Sequence, residues 1–103
     1  MKRRKSDLIV IASAKAKPGE GSELNRALLE AAGPTRRQLG CVSFSLYHSV
    51  HDPTTIIGFE RWATERDHEQ HLRGAHVQIL MSKMSELLAE PPVILSYGIT
   101  DEL

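Results

Sequence analysis

The chain is predicted to fold as an α+β domain, an antiparallel sheet with helices packed on one face. Three observations predict it. Four short segments are rich in β-branched and aromatic residues, two stretches between them carry apolar residues at helical spacing, and Gly, Pro or Asp marks nearly every junction. At 103 residues the chain is one domain, residues 1–103, with a basic tip at 1–6 and a short tail at 101–103.

Leu8 to Ala16 is apolar and β-branched and then alternates, which suits a strand. Lys17-Pro18-Gly19-Glu20-Gly21 is a turn cluster, and Ser22 can cap a helix in which Leu24, Ala27, Leu28 and Ala31 recur at helical spacing. Gly33-Pro34 is expected to kink or restart that helix, and Leu39-Gly40 to end it. Cys41 to Ser49 alternates, with Val42, Phe44 and Leu46 on one side and Ser43, Ser45 and Tyr47 on the other. His51-Asp52-Pro53-Thr54 reads as a hairpin loop leading to a returning strand, Thr55 to Trp62. Thr64 then caps a helix, with Asp67 three residues on as a capping-box variant. Gly74 interrupts it. A further helical run carries the stripe Val77, Leu80, Met81, Met84, Leu87 and Leu88, which Pro91-Pro92 stops before a last strand, Val93 to Thr100.

The order β-α-β-β-α-β, with the second helical region broken in two, is the ferredoxin-like split βαβ arrangement. Each strand has one mostly apolar side, while the opposite sides mix apolar with small or polar groups such as Ser13, Ser43, Gly58, Glu60, Ser96 and Gly98. A sheet apolar on both faces, with one layer of helices, predicts a homodimer that pairs sheet against sheet. A chain this short buries only about two thirds of its unfolded surface, which points the same way.

Thirteen basic and thirteen acidic residues cancel, so nothing global suggests nucleic acid or an anionic membrane as partner; the cluster KRRK at 2–5 reads as a short solvated tip. The single cysteine, Cys41, excludes an intramolecular disulfide framework and a multi-cysteine zinc site, and fits a reducing, cytoplasmic setting. No apolar run approaches the roughly 18 residues of a membrane helix. KRRK followed by LIVIASA at 8–14 imitates a signal peptide, but Asp7 interrupts it and cleavage would delete the first strand.

The stretch FERWATERDHEQHL, residues 59–72, gathers the chemistry. Ile56, Gly58, Glu60 and Trp62 share one face of their strand. The helix that follows can fold back and bring His71 over the end of the sheet. Small residues on the mixed face (Ser43, Ser45, Gly58, Gly98) would leave space there, Tyr47 could reach a ligand hydroxyl, and Leu80 and Met81 could close the cavity. His71 is a candidate base or hydrogen-bond donor, with Asp67 one turn earlier to favour its charged form. The plainer reading is core packing with a satisfied ring nitrogen, and spacing alone does not choose between them. His68-Glu69-Gln70-His71 is not a zincin motif, which needs two residues between Glu and the second His, and no third ligand is evident, so no metal is expected. His48, His51 and His68 read as solvent-facing, His76 as part of the start of the last helix, and Cys41 as unactivated.

The runs AKAKPGEGSEL, LLEAAGPTRRQLGCVSFSLYHSVHDP, FERWATERDHEQHL and LLAEPPVILSY together resemble the antibiotic biosynthesis monooxygenase domain family, over about residues 8–98. The resemblance implies a dimeric α+β barrel. It also implies oxidation of a phenol or hydroquinone to a quinone with dioxygen, using neither flavin nor metal. Under it Trp62 packs against the substrate ring, His71 takes or shares the phenolic proton, and Glu60 orients a neighbour. Haem-degrading members carry an asparagine on the first strand, where this chain has Ala12 and Ser13; its one asparagine is Asn25 on the first helix. A non-catalytic small-molecule binder and an isomerase of a phosphorylated signalling sugar are the alternatives. A pocket with Trp62 and His71 but no basic residue favours the aromatic substrate over the phosphate. A pocket closed by Leu80 and Met81 with Trp62 packed tight favours a structural role.

Overall fold

The computed structural model describes residues 7–102, so the basic tip at 1–6 and Leu103 lie outside the described residues. Its elements run β1 (Leu8–Lys15), α1 (Gly21–Arg36), β2 (Cys41–His48), β3 (Thr55–Trp62), α2 (Glu65–Leu72), α3 (Ala75–Leu87) and β4 (Val93–Tyr97). The four strands form one open antiparallel sheet in the order β2-β3-β1-β4, which is the ferredoxin-like α+β fold.

Local chemistry accounts for most boundaries. Gly19 takes a left-handed φ of 82° in the turn before α1, and Gly40 takes the same angle where the chain leaves α1 for β2. The first helix starts at Gly21 with Glu20 at its cap, so Ser22 is not the cap. Nor does Gly33-Pro34 restart it. Pro34 lies inside one continuous helix, within its last turn, where only one backbone bond is forfeited and little helix remains to bend. Thr64 caps α2 as its sequence predicts, accepting from the Asp67 N–H at 3.0 Å. The last strand stops at Tyr97 rather than Thr100. After α3, Leu88 bridges Ala16 and Ala89 N–H donates to Lys15 O, which ties the helix exit to the end of β1.

Helices cover one face only. Register places Val10, Ala12 and Ala14 beside Glu60, Gly58 and Ile56, and Phe44 and Leu46 across from Glu60 and Gly58, all on the helix side. The dry core lies at one end of this layer, where Ala14, Ala16, Leu24, Leu28, Ile56, Met84 and Leu88 pack together. On the other face Ile57, Phe59, Leu95 and Tyr97 are open, Phe59 with 42% of its surface exposed and Leu95 with 49%. Arg61 sits on that face too, fixed by Asp7 at 2.7 Å and by Glu102 at 2.8 Å. Among the described residues no helix is long and apolar enough to cross a membrane.

Candidate active site

The site forms where β3 hands over to α2. Ala63 N–H donates to Gly40 O at 2.8 Å, and the Asp67 carboxylate occupies the space a side chain at position 40 would need. Gly40 therefore lets the start of β2, the end of β3 and the first turn of α2 converge. With Thr64 setting the entry angle, α2 folds back so that His68 and His71, three residues apart, both face inward. The two are buried, although His68 was expected to face solvent.

A chain of polar contacts crosses this end of the layer. Trp62 is fully buried, and its Nε1–H donates to Glu60 Oε1 at 2.8 Å. His71 Nε2 lies 3.9 Å from the same oxygen, too far for a hydrogen bond. On its other side the His71 ring bonds through Nδ1 to Gln38 Oε1 at 2.6 Å. The indole of Trp62 backs the His71 ring at a centroid distance of 4.7 Å, with His68 and His76 each about 6 Å away. His76 is anchored in turn by Thr35 Oγ1 at 3.1 Å.

Burial dictates the protonation of these groups. It pushes the Glu60 carboxyl up from the ordinary range, with the Trp62 hydrogen bond pulling the other way. Burial first, and then the neighbouring His68 and His76, push His71 down to about 4. Burial lowers His68 as well, against the pull of Glu69 and Glu65. Asp67, expected to favour a charged His71, is turned toward Gly40 and is not among the groups acting on the ring. The imidazole is therefore neutral at neutral pH, the reverse of that expectation.

A cavity of about 70 Å³ opens in front of Glu60 and His71, against Ala12, Phe44, Gly58, Leu80 and Met81. No lysine or arginine among the described residues lines it. Among the described residues no group of three or more His, Cys, Asp or Glu side chains is placed to hold a metal ion.

The sequence model described as antibiotic biosynthesis monooxygenase matches residues 7–82. The chain belongs to this family. Rv0793 of Mycobacterium tuberculosis, 34% identical over 98 residues, is covered for 95% of its length by 94% of this chain. Its solved structure superposes with a TM-score of 0.89 over 94% of this chain and 98% of that one. The uncharacterized protein sll1783 of Synechocystis is 27% identical over 97 residues, which are 91% of this chain but 64% of that protein's length. PA3566 of Pseudomonas aeruginosa, at 24% identity and a TM-score of 0.88 over 97% of this chain and 100% of its own, shares the fold.

Against this family background the sequence-predicted residues divide into three groups. Glu60, His71, Gly58, Leu80 and Met81 meet at the cavity. Trp62 does not line it; the indole stands behind Glu60 and His71, and Phe44 supplies the aromatic wall instead. Ser43 and Tyr47 point to the opposite face, where they pair with Arg61 and Ile57. Tyr47 is 57% exposed there. The reason is register: a bulge between Cys41 and Ser43 and the hairpin closure put Phe44 and Leu46, not the serines, beside Glu60 and Gly58. Gln38 and Thr35 carry no motif that marks them in the sequence. Their one signal is that Thr35 extends the buried stripe of α1 from Leu24, Leu28 and Ala31, and Gln38 follows one turn later.

Proposed function

We propose that this protein oxidises a phenol or hydroquinone to a quinone with dioxygen, in the cavity beside Glu60 and His71, without flavin or metal. One observation carries the reading: a buried, neutral imidazole opens onto an apolar cavity that, among the described residues, no lysine or arginine lines. The family description, and the name given to the Mycobacterium tuberculosis relative, both refer to monooxygenation. The absence of cations among the described lining residues weighs against a phosphorylated sugar, whose charge would need pairing in a dry site.

The chemistry asks for an acceptor toward the substrate hydroxyl. With His71 near 4, the ring stays neutral across the neutral range and keeps one lone pair. With Nδ1 against Gln38 Oε1, that lone pair falls on Nε2, which can accept the hydrogen bond. Full transfer from a resting phenol to so weak a base is uphill. The proton therefore moves as the ring yields its first electron to oxygen, when the oxidised phenol becomes a far stronger acid. Glu60, 3.9 Å from Nε2, can offset the charge the imidazole then gains only in its carboxylate form, which its burial disfavours. For a phenol with a free ring position, one oxygen atom enters the ring as the second carbonyl. The other leaves as water with the hydroxyl proton and the displaced ring hydrogen, so four electrons reduce one dioxygen. Trp62 acts through its neighbours as a positioning residue.

Size constrains entry. About 70 Å³ is less than half of the roughly 150 Å³ that holds a benzene ring, so the unbranched, pliable Met81 and Met84 have to shift for a ring to seat. This smallness, together with a fully buried Trp62, is the observation that favours the second reading, a non-catalytic module on the same fold. The open apolar face of the sheet supports a homodimer, tested by sedimentation of the wild type beside Phe59→Glu, which should be monomeric.

Oxygen uptake by chelator-treated protein with a panel of phenols and hydroquinones tests the reaction, with His71→Ala alongside. Uptake above the autoxidation blank that falls in the variant supports it. A flat panel with quenching of Trp62 fluorescence by the same compounds would favour the binder.

A further inference from the structure

We infer that Gln38 is a positioning residue that holds His71 in its Nδ1–H tautomer, leaving the lone pair of Nε2 facing Glu60 and the cavity. The inference rests on the proposed reaction for its use, but the geometry stands by itself. A neutral imidazole has one N–H and one lone pair, and its two nitrogens are assigned by what each can bond. Nδ1 makes the close contact, 2.6 Å to Gln38 Oε1, and a carbonyl oxygen only accepts, so Nδ1 carries the hydrogen. Nε2 faces Glu60 Oε1 at 3.9 Å without bonding it, as two acceptors would. That oxygen already accepts from Trp62 Nε1–H, so Trp62 competes for the partner that would otherwise draw a proton onto Nε2.

The alternative tautomer is disfavoured twice over. With the hydrogen on Nε2, the ring would present a lone pair to the Gln38 oxygen at 2.6 Å, and the cavity would face a donor where the substrate hydroxyl needs an acceptor. The backbone beside the amide leaves it room. Gln38 Nε2 lies where a side chain at Gly74 would press on it at 3.2 Å, and His76 crowds the same spot at 2.9 Å. The bare backbone at the start of α3 thus gives Gln38 its seat, half-buried between α1 and α3. A residue with no part in the chemistry would in this way decide which nitrogen faces the substrate.

The test is a long-range proton–nitrogen spectrum of histidine-labelled protein at neutral pH, with the His71 signals identified by their loss in His71→Gln. Wild type should show a protonated Nδ1 and a bare Nε2. Gln38→Leu should shift the ring toward Nε2–H, and Gln38→Glu should keep Nδ1–H while raising the titration midpoint of His71 by about 1 pH unit. A wild-type ring protonated at Nε2, a tautomer unchanged in Gln38→Leu, or an unmoved midpoint in Gln38→Glu would each overturn the inference. Should Gln38→Leu fail to fold, the wild-type spectrum and Gln38→Glu still decide. In turnover, Gln38→Leu should lower kcat by roughly tenfold or more with little change in KM, part of the about 10²–10⁴ a well-placed acid–base group provides. The assigned tautomer in a protein that consumes no oxygen would retain Gln38's role and refute the oxidation instead.

Discussion

The two ends of the layer between sheet and helices are built on opposite principles. At the β1 exit, Ala14, Leu24, Leu28, Ile56, Met84 and Leu88 interlock with no polar side chain among them. About 14 Å along the same strands, by the rise of roughly 3.4 Å per residue from Ile56 to Glu60, the burial is as deep but the residues are Glu60, Trp62, His68 and His71. The first end stabilises by removing apolar surface from water, while the second has to satisfy every polar atom it hides. Glu60 and His71 meet that demand through Trp62 and Gln38, and in doing so leave one ring nitrogen without a partner. That nitrogen lies 3.9 Å from Glu60 Oε1, and both side chains line the cavity.

The sharpest way to break the comparison is to exchange losses between the ends. His71→Ala should reduce oxygen uptake by about 10²–10⁴-fold while leaving the protein folded, because it removes the acceptor and not the core. Leu24→Ala, at the dry end, should cost about 2–5 kcal/mol in denaturant unfolding and leave turnover of the folded fraction unchanged. If both variants lost activity and stability in proportion, the two ends would not be distinct.

A pH titration sharpens the contrast further. His71 falls to about 4 in the folded protein against about 6.5 when exposed. Between those values the unfolded chain holds more protons, so stability present at neutral pH is lost as pH falls from about 6.5 to about 4, by roughly 3 kcal/mol at most. His68 adds in the same direction. Glu60 acts oppositely: with its pKa raised, the folded state holds the extra proton, and its contribution fades as pH rises through the folded value. Unfolding midpoints from pH 7 to 4.5 should therefore fall less in His71→Asn than in wild type. Trp62→Phe is the gentler probe. It removes the donor to Glu60, should cost about 1–3 kcal/mol, and should move the Glu60 carboxyl further up.

How much of this was legible in the sequence follows from how local each signal is. The seven elements could be read because Thr55–Trp62, the Thr64 cap and the Val77–Leu88 stripe each announce themselves within a few residues. The grouping of Gly58, Glu60 and His71 followed from alternation along one strand and the return of one helix. Polarity alone places Ser43 and Tyr47 on the cavity face, whereas the hairpin and the bulge at Val42 set the register and turn them to the other. Trp62 was expected in the cavity, yet its indole finds its partner in Glu60 two residues away on the same strand. Gln38 could not be found by motif, since its role depends on where α2 lands over the end of α1.

The central claim is that the unpartnered nitrogen of His71 serves an oxygenation, and isotope tracing meets it most directly. Turnover of a phenol bearing a free ring position under ¹⁸O-labelled dioxygen should give a quinone with one labelled atom and one labelled water, with label and rate both lost in His71→Ala. A quinone whose new oxygen comes from solvent, or no product at all from the folded protein, would contradict it.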